Sequence, residues 1–529
     1  MVKVRMKDDW MKDQLICSSL IHSSFIISPL TPSPRRFFSS THRGEAGRGE
    51  LFALSLVDAP TLTLPLMGRE FFIASFLMGT AVWHIVLFAV GLLGFLFYPV
   101  MLALAGGVMV ASMPHLCALL RRPWAARKLT LGEGIMLTLV VCAALLFVFL
   151  KGAYPSGAHD FFNHYFPYYR EVVASGNLGP HATWYHYFYS KGLGLYFMSM
   201  ILMDPLAVHL VGATFIIAAA CMVFDILRRP GISLLLPLFG ALLYFLFLTY
   251  TRGRGLFAAN GAWGDLEKTH ELGAVLLFGC IWLARQLMLS RNTHYTAVLA
   301  AVTAALSIIS FPSGMLAGLF IALMLGYALL RKDMFSVRQF FFAGAATGVA
   351  LLLVLIINYC YTGVPLDYFV TVFWPYIDWK TVMARGFSLE LFATLNYVLA
   401  YEGGKTPLLQ SLPMIVGEYY RLYMFWPLLV VGALMALLSL RSGAARMGWK
   451  GAAALLCFLL AGMIFALLFG GRSVPVSFFR FSSFNYAPVL VACLMLWGAS
   501  DLRLQKYLIV IFVALLAAEW LLRRGSSLI

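Results

Sequence analysis

Charged residues are scarce in this chain. Only 12% of its 529 residues are Asp, Glu, Lys or Arg, whereas a soluble domain carries about 25%. Hydrophobic residues make up 61%, and the mean hydropathy is +0.85. The composition excludes an ordinary soluble protein. It predicts an all-α polytopic membrane protein, divided into apolar spans of about 20 residues.

Paired cysteines are also lacking. The eight cysteines stand singly, and none belongs to a Cys-x-x-Cys motif. Neither a zinc site nor a disulfide framework is therefore indicated. Six of the cysteines fall inside apolar runs, where we expect them to be small buried hydrophobes.

Acidic residues are fewer than basic ones, and the formal net charge is +16. A nucleic-acid-binding surface would gather the basic residues on one face of a folded domain. Here they occur in small groups between apolar runs, the pattern of cytoplasmic loops, so we expect no nucleic-acid partner. These groups are Arg121, Arg122, Arg127 and Lys128; Arg228 and Arg229; Arg331, Lys332 and Arg338; and Arg441, Arg446 and Lys450.

Apolar runs alternate with polar breaks from residue 71 onward, and they predict about thirteen transmembrane helices. Residues 1–66 are polar and turn-rich, which predicts a disordered tail or a translation start at Met67; residues 67–529 form the membrane domain. The predicted spans are 71–92, 94–116, 131–151, 203–227, 232–250, 271–289, 294–311, 314–330, 340–361, 423–440, 451–470, 486–500 and 507–522.

The basic loops give the chain an orientation in the plasma (inner) membrane. Loops that begin at Arg121, Arg228, Arg285, Arg331, Arg441 and Arg503 are predicted to be cytoplasmic. The outer loops are then 152–202, 252–270, 362–422 and 471–485, and acidic residues gather in them. Aromatic residues at helical spacing predict amphipathic helices in these loops, the first over residues 161–175.

A polar cluster follows the third span. It contains His159, Asp160, His164 and Arg170 among aromatic residues. Ionisable groups are costly to desolvate at the membrane edge, so the cluster predicts chemistry more than packing. The alternative for Asp160 is a helix N-cap at the start of the following helix.

The second outer loop carries Arg252, Arg254, Glu267, His270 and Glu271. The two arginines are candidate phosphate contacts or interfacial anchors. A helix would bring the last three side chains near one face. A divalent metal site there stays an open alternative to solvated acids at a helix start, because the spacing matches no metal motif.

The first outer loop continues with Trp184, then Lys191-Gly192-Leu193-Gly194, and Asp204-Pro205 opens the next span. This order resembles the GT-C superfamily of integral-membrane glycosyltransferases. It is most similar to bacterial branches related to protein O-mannosyltransferases and to enzymes that glycosylate envelope polymers. The resemblance is specific over residues 155–206 and only architectural elsewhere.

The resemblance implies transfer of a sugar from a polyprenyl-phosphate donor, on the outer face, to a glycan, lipid or protein acceptor, with inversion. Asp160 matches the family's first-loop acid, the catalytic base or acceptor-orienting residue. Arg480-Phe481 is similar to the family's lipid-phosphate pair, or is an interfacial anchor. The paired acids of metal-binding members are missing around Asp160, so no metal or other cofactor is firmly indicated. The candidate substrate-binding residues are His159, His164, Arg170, Trp184, Lys191, Arg252, Arg254, Glu267, His270, Arg472 and Arg480.

Two other classes of function fit a polytopic helical body. A transporter or lipid flippase would show inverted repeats or charges at the membrane midplane, and the sequence has no evident repeat. A non-catalytic protein of envelope polymer assembly would not need the Asp160 carboxylate.

Overall fold

The computed structural model describes residues 63–121, 129–149, 166–178, 208–228, 233–250, 269–309, 311–362, 430–434, 490–495 and 502–525, with residues 427 and 488. These residues are helical apart from their turns, and none of them lies in a β-strand. They all belong to one compact unit, Pro60–Ile529. The all-helical class is confirmed for this part of the chain.

Eleven helices of ten residues or more occur in the described part of the chain. They are α1 (Thr63–Leu92), α2 (Tyr98–Arg121), α3 (Leu131–Phe147), α4 (Phe166–Ser175), α5 (Val208–Leu227), α6 (Leu235–Tyr250), α7 (Thr269–Ser290), α8 (His294–Ile309), α9 (Phe311–Leu330), α10 (Met334–Thr362) and α11 (Leu502–Gly525).

Five of these helices are long and apolar enough to cross a bilayer: Phe72–Leu92, Leu210–Leu227, Leu272–Ser290, Ser313–Leu330 and Met334–Ile357. Shorter apolar helices lie in α2, α3, α6, α8 and α11. Together these helices overlap ten of the predicted spans. The other three, 423–440, 451–470 and 486–500, lie largely outside the described residues.

Several helix starts lie four or more residues from their predicted positions, among them those of α1, α2, α10 and α11. Helix α1 begins at Thr63, inside the predicted tail 1–66, and α11 begins at Leu502 rather than near residue 507. Helix α2 begins at Tyr98 rather than near residue 94, because Gly94 takes a positive φ of 80° in the turn after α1. Helix α10 begins at Met334 rather than near residue 340. Its first turn is capped by Asp333, whose carboxylate accepts hydrogen bonds from the Ser336 amide at 3.3 Å and the Ser336 hydroxyl at 2.8 Å.

Helix α8 is the centre of the bundle and packs against α1, α7, α9 and α10. Its buried face is rich in small residues, which allow neighbouring backbones to approach closely. Two of its buried hydroxyls bond within the helix: Thr303 donates to the Leu299 carbonyl at 3.0 Å and Ser307 to the Thr303 carbonyl at 2.9 Å. A third, on Thr296, donates to Gln339 Oε1 of α10 at 2.7 Å. The polar side chains at the centre of the bundle therefore form their hydrogen bonds with other groups of the protein.

Helices α3 and α6 run parallel and are joined near both ends. At their starts, the Glu133 carboxylate accepts from the Leu234 amide at 2.7 Å and the Ser233 hydroxyl at 3.2 Å. Towards their ends, the rings of Phe147 and Phe245 lie 5.9 Å apart. Helix α3 leads to the polar cluster of the first outer loop, so these contacts set the position from which that loop departs.

Glu133 caps two helices at once. Its other carboxylate oxygen accepts from the Thr130 amide at 3.0 Å, and the Thr130 hydroxyl accepts from the Glu133 amide at 3.3 Å, which is a capping box. Glu133 is only 1% exposed. A carboxylate beside two helix N-termini is favoured by both helix dipoles.

The contacts between loops agree with the predicted alternation. Glu133 joins the starts of α3 and α6, and Arg291 lies 3.8 Å from Asp333, which joins the α7–α8 and α9–α10 turns. All four segments are predicted to be cytoplasmic. The turn between α1 and α2, at the opposite end of α2 from the Arg121 loop, bonds to residues 176–178 of the first outer loop. Each of these contacts joins segments assigned to the same side.

We predict that Glu133→Ala destabilises the bundle by about 2 to 4 kcal/mol, because the Thr130 and Leu234 amides lose their acceptor at a site closed to water. Thermal unfolding of the purified full chain in detergent measures the change. Thr130→Ser, which keeps the capping hydroxyl, is the control and should unfold near the wild-type temperature. A Glu133→Ala protein as stable as wild type would contradict the double cap.

Candidate functional site

Helix α4 is the described element nearest in sequence to the polar cluster. Ten of the twelve candidate site residues lie outside the described residues: His159, Asp160, His164, Trp184, Lys191, Arg252, Arg254, Glu267, Arg472 and Arg480. The N-cap alternative for Asp160 lies outside them as well. The structure describes Arg170 fully and His270 by its backbone.

Helix α4 has one buried and one exposed face. Tyr169 and Val172 are 0% exposed, whereas Arg170 is an exposed residue. The helical spacing of the aromatic and apolar residues in the sequence predicted this division. Arg170, the last residue of the polar cluster, thus lies on the exposed face of α4.

The end of α4 is tied to the turn between α1 and α2. The Gly176 carbonyl accepts from the Leu96 amide at 2.7 Å, and the Gly91 carbonyl accepts from the Leu178 amide at 3.2 Å. The Gly176 amide donates to the Val172 carbonyl at 2.8 Å and so ends the helix. These main-chain bonds fix the first outer loop against the first pair of membrane helices.

Glycine is required at both sides of this contact. Gly176 has a φ of +76°, and a Cβ there would lie 2.5 Å from Phe97 Cζ and 2.7 Å from the Gly94 carbonyl oxygen. A Cβ on Gly91 would lie 2.5 Å from Leu96 Cδ1 and 2.6 Å from Leu178 Cγ. The sequence Gly176-Asn177-Leu178-Gly179-Pro180 is typical of a turn but does not reveal the partner of that turn.

A phenol lies beside this contact. Tyr98 opens α2 two residues after Leu96, and its hydroxyl is buried without a hydrogen-bond partner in the part of the chain that the structure describes. Leaving a buried hydroxyl unpaired costs about 1–3 kcal/mol. In the sequence, Tyr98-Pro99 indicates only a break in the apolar run over residues 71–112. The feature of the sequence that could have indicated this position is the Tyr98 phenol at the predicted membrane edge.

His270 lies at the start of a membrane-spanning helix. Helix α7 begins at Thr269 and its apolar span at Leu272, so His270 and Glu271 form the polar first turn. Acidic residues at this position are favoured by the helix dipole. Residues 270 and 271 are helical, as the sequence predicts for the segment from Glu267 to Glu271. Glu267 itself lies outside the described residues.

Besides Glu133, two buried ionisable residues lie inside predicted spans. Asp225 of α5 is 6% exposed, and its Oδ2 accepts from Trp282 Nε1 at 2.8 Å and Gln286 Nε2 at 2.9 Å, both on α7. His84 of α1 is 1% exposed, and its Nδ1 bonds the Thr80 carbonyl at 2.8 Å. Asp225 ties two helices together and so has a structural task. In the sequence, the single acid in the apolar run of α5 was the feature that could have indicated this contact.

Among the described residues, no group of three or more His, Cys, Asp or Glu side chains lies close enough to hold a metal ion. Comparison of the chain with protein-family models, curated proteins and solved structures finds no significant match. Its function is therefore proposed from its own residues and their arrangement.

We predict that Gly176→Ala weakens the tie between α4 and the α1–α2 turn, because alanine adds both a strained positive φ and a clash with main-chain and ring atoms. Two other glycines separate these effects. Gly94 has a φ of +80° but open space around it, and Gly106 lies in α2 with open space and no unusual φ.

Thermal unfolding of the three alanine variants in detergent should rank them. Gly106→Ala is expected near wild type or above it, Gly94→Ala lower by about 1 kcal/mol, and Gly176→Ala lowest. Equal midpoints for Gly176→Ala and Gly94→Ala would mean that the close approach does not contribute.

Proposed function

We propose that this chain is a glycosyltransferase of the plasma membrane, with many spans and an active site on the outer side. It would take a sugar from a polyprenyl-phosphate donor and pass it to a glycan, lipid or protein acceptor. The resemblance of residues 155–206 to GT-C enzymes supports the reaction class.

One observation carries most weight for the position of the site. Along the chain, the segment that contains Asp160 connects α3, which contacts α6 near both ends, to α4, which is hydrogen-bonded to the α1–α2 turn. A group that must meet a substrate in one geometry benefits from such support on both sides. Arg170, an exposed residue of α4, is the cation at the end of the cluster.

The chemistry assigned to the cluster is a single displacement. The acceptor hydroxyl attacks the anomeric carbon, a carbon–oxygen bond forms, and the bond from that carbon to the phosphate oxygen breaks. Asp160 takes the hydroxyl proton, and the polyprenyl phosphate leaves with its negative charge. The configuration at the anomeric carbon inverts.

The departing phosphate requires cations in a poorly hydrated site. Arg480, Arg254 and Lys191 are proposed for this role, since each lies in a predicted outer loop. His270, in the first turn of α7, stands at the end of a membrane span and is proposed to contact the sugar. The polyprenyl chain would lie along the apolar helices.

The alternative is a transporter or lipid flippase of the envelope. It gains support from His84, a buried ionisable side chain within the span Phe72–Leu92, because such residues often mark transport pathways. A non-catalytic assembly protein is the third class. The three classes differ in whether turnover needs the Asp160 carboxylate.

We predict that Asp160→Asn lowers sugar transfer by about 100-fold or more, because the amide cannot take the acceptor proton. The test uses cells that lack the gene and carry either wild type or a variant. Mass spectrometry of envelope glycans and of lipid-linked sugars identifies the missing sugar and measures how much each variant restores.

The control is Glu171→Gln, which removes a neighbouring carboxylate on α4, and it should restore the sugar as wild type does. Peptide mass spectrometry of the membranes checks that all variants reach equal levels. Full restoration by Asp160→Asn at equal level would overturn the catalytic assignment. Normal glycans in cells without the gene would overturn the glycosyltransferase itself.

A further inference from the structure

Helices α9 and α10 form an antiparallel hairpin whose turn is strongly basic. We define the basic turn as four cations: Arg331 and Lys332 of the turn itself, Arg338 near the start of α10, and Arg291, which lies beside them. Asp333 is the one acid among them. Its hydrogen bond from the Ser336 hydroxyl holds the pKa of the Asp333 carboxyl below its ordinary value of 3.8, so it stays ionised at neutral pH. Four cations and one carboxylate give the turn a formal charge of +3.

Two of these guanidinium groups are held over aromatic rings. Arg331 lies 5.6 Å from the centre of the Tyr327 ring and donates to the Tyr327 hydroxyl at 3.2 Å. Arg338 lies 5.8 Å from the centre of the Phe342 ring. Each ring is four residues further into the apolar helix than its arginine, so the cations stand at the border between apolar and polar surface.

The hairpin also presents apolar surface next to the cations. Leu330 is 86% exposed and Met334 is 69% exposed, although both belong to apolar helices. Only 28% and 33% of the spans in α9 and α10 are buried, against 44% to 67% in the other three spans. Of these five spans, those in α9 and α10 therefore leave the largest share of their residues unburied.

We propose that the basic turn binds the phosphate headgroup of an anionic phospholipid, whose acyl chains lie along the exposed apolar faces of α9 and α10. Charge complementarity selects an anionic headgroup over a zwitterionic one. Guanidinium groups suit phosphate because they donate two hydrogen bonds in one plane. Stacking on Tyr327 and Phe342 restricts both side chains, so less entropy is lost when the headgroup binds.

The proposal commits to a lipid rather than free phosphate because the cations and the exposed apolar residues are adjacent. A free anion would use only the cations. In the proposed orientation the basic turn faces the cytoplasmic leaflet, and the lipid binds on the side opposite to sugar transfer. The inference does not depend on the glycosyltransferase assignment.

Native mass spectrometry of the full chain released from detergent micelles tests the proposal. Phosphatidylglycerol and phosphatidylcholine with the same acyl chains are titrated separately against wild type and against Arg331→Gln/Arg338→Gln. Wild type is expected to bind phosphatidylglycerol at least tenfold more tightly than phosphatidylcholine. The double variant should lose about tenfold or more of its affinity for phosphatidylglycerol.

The matched control is Arg523→Gln/Arg524→Gln, which removes two arginines near the end of α11 and should leave the affinity for phosphatidylglycerol within twofold of wild type. Equal binding of the two lipids by wild type would overturn the proposal. So would an unchanged affinity in the Arg331→Gln/Arg338→Gln variant, or an equal loss in Arg523→Gln/Arg524→Gln. Displacement of the lipid by millimolar inorganic phosphate would show that the site recognises the free anion instead.

Discussion

The candidate site depends on main-chain hydrogen bonds between the α1–α2 turn and the segment that ends α4. Loop backbone at the edge of a membrane must find partners for its amides and carbonyls, because lipid supplies none. Here Leu96 pairs with Gly176 and Leu178 with Gly91, and Leu178 is buried under the turn. The two glycines bring the backbones close enough for these bonds. The downstream side of the polar cluster therefore has a defined position relative to the first membrane helices.

Carboxylates elsewhere in the bundle have a different task. Glu133 joins the starts of α3 and α6, and Asp225 joins α5 to Trp282 and Gln286 of α7. In each case neutral donors surround the carboxylate and leave it little exposed. Such groups stabilise a particular helix arrangement and offer no open face to a substrate. The exposed Arg170 on α4 shows the opposite property, which is why the segment around Asp160, rather than either buried acid, is proposed for chemistry.

The helical class and the approximate positions of most described helices were predictable, because apolar runs of sufficient length leave few other structures for a chain in lipid. The burial of Tyr169 and Val172 and the exposure of Arg170 followed from helical spacing alone. The start of α10 was wrong by six residues, although Asp333 and Ser336 carried a capping pattern that could have located it. The bonds from Trp282 and Gln286 to Asp225 could not be predicted, since they join residues about sixty positions apart and depend on how α5 and α7 pack. The same holds for Gly91 and Leu178.

The two ends of the bundle differ in chemistry, and the difference bears on how the protein would work. The basic turn and the paired starts of α3 and α6 belong to the side predicted to be cytoplasmic, where cations favour an anionic leaflet. The first outer loop, with its histidines, aromatics and Asp160, is predicted to lie on the other side. An enzyme that draws its donor from the membrane has to keep its orientation fixed while a long lipid chain enters and leaves. Cations held at one surface and aromatics at the other resist tilting, so headgroup binding at the basic turn would help to hold the outer loops at the depth where the sugar phosphate emerges from the bilayer.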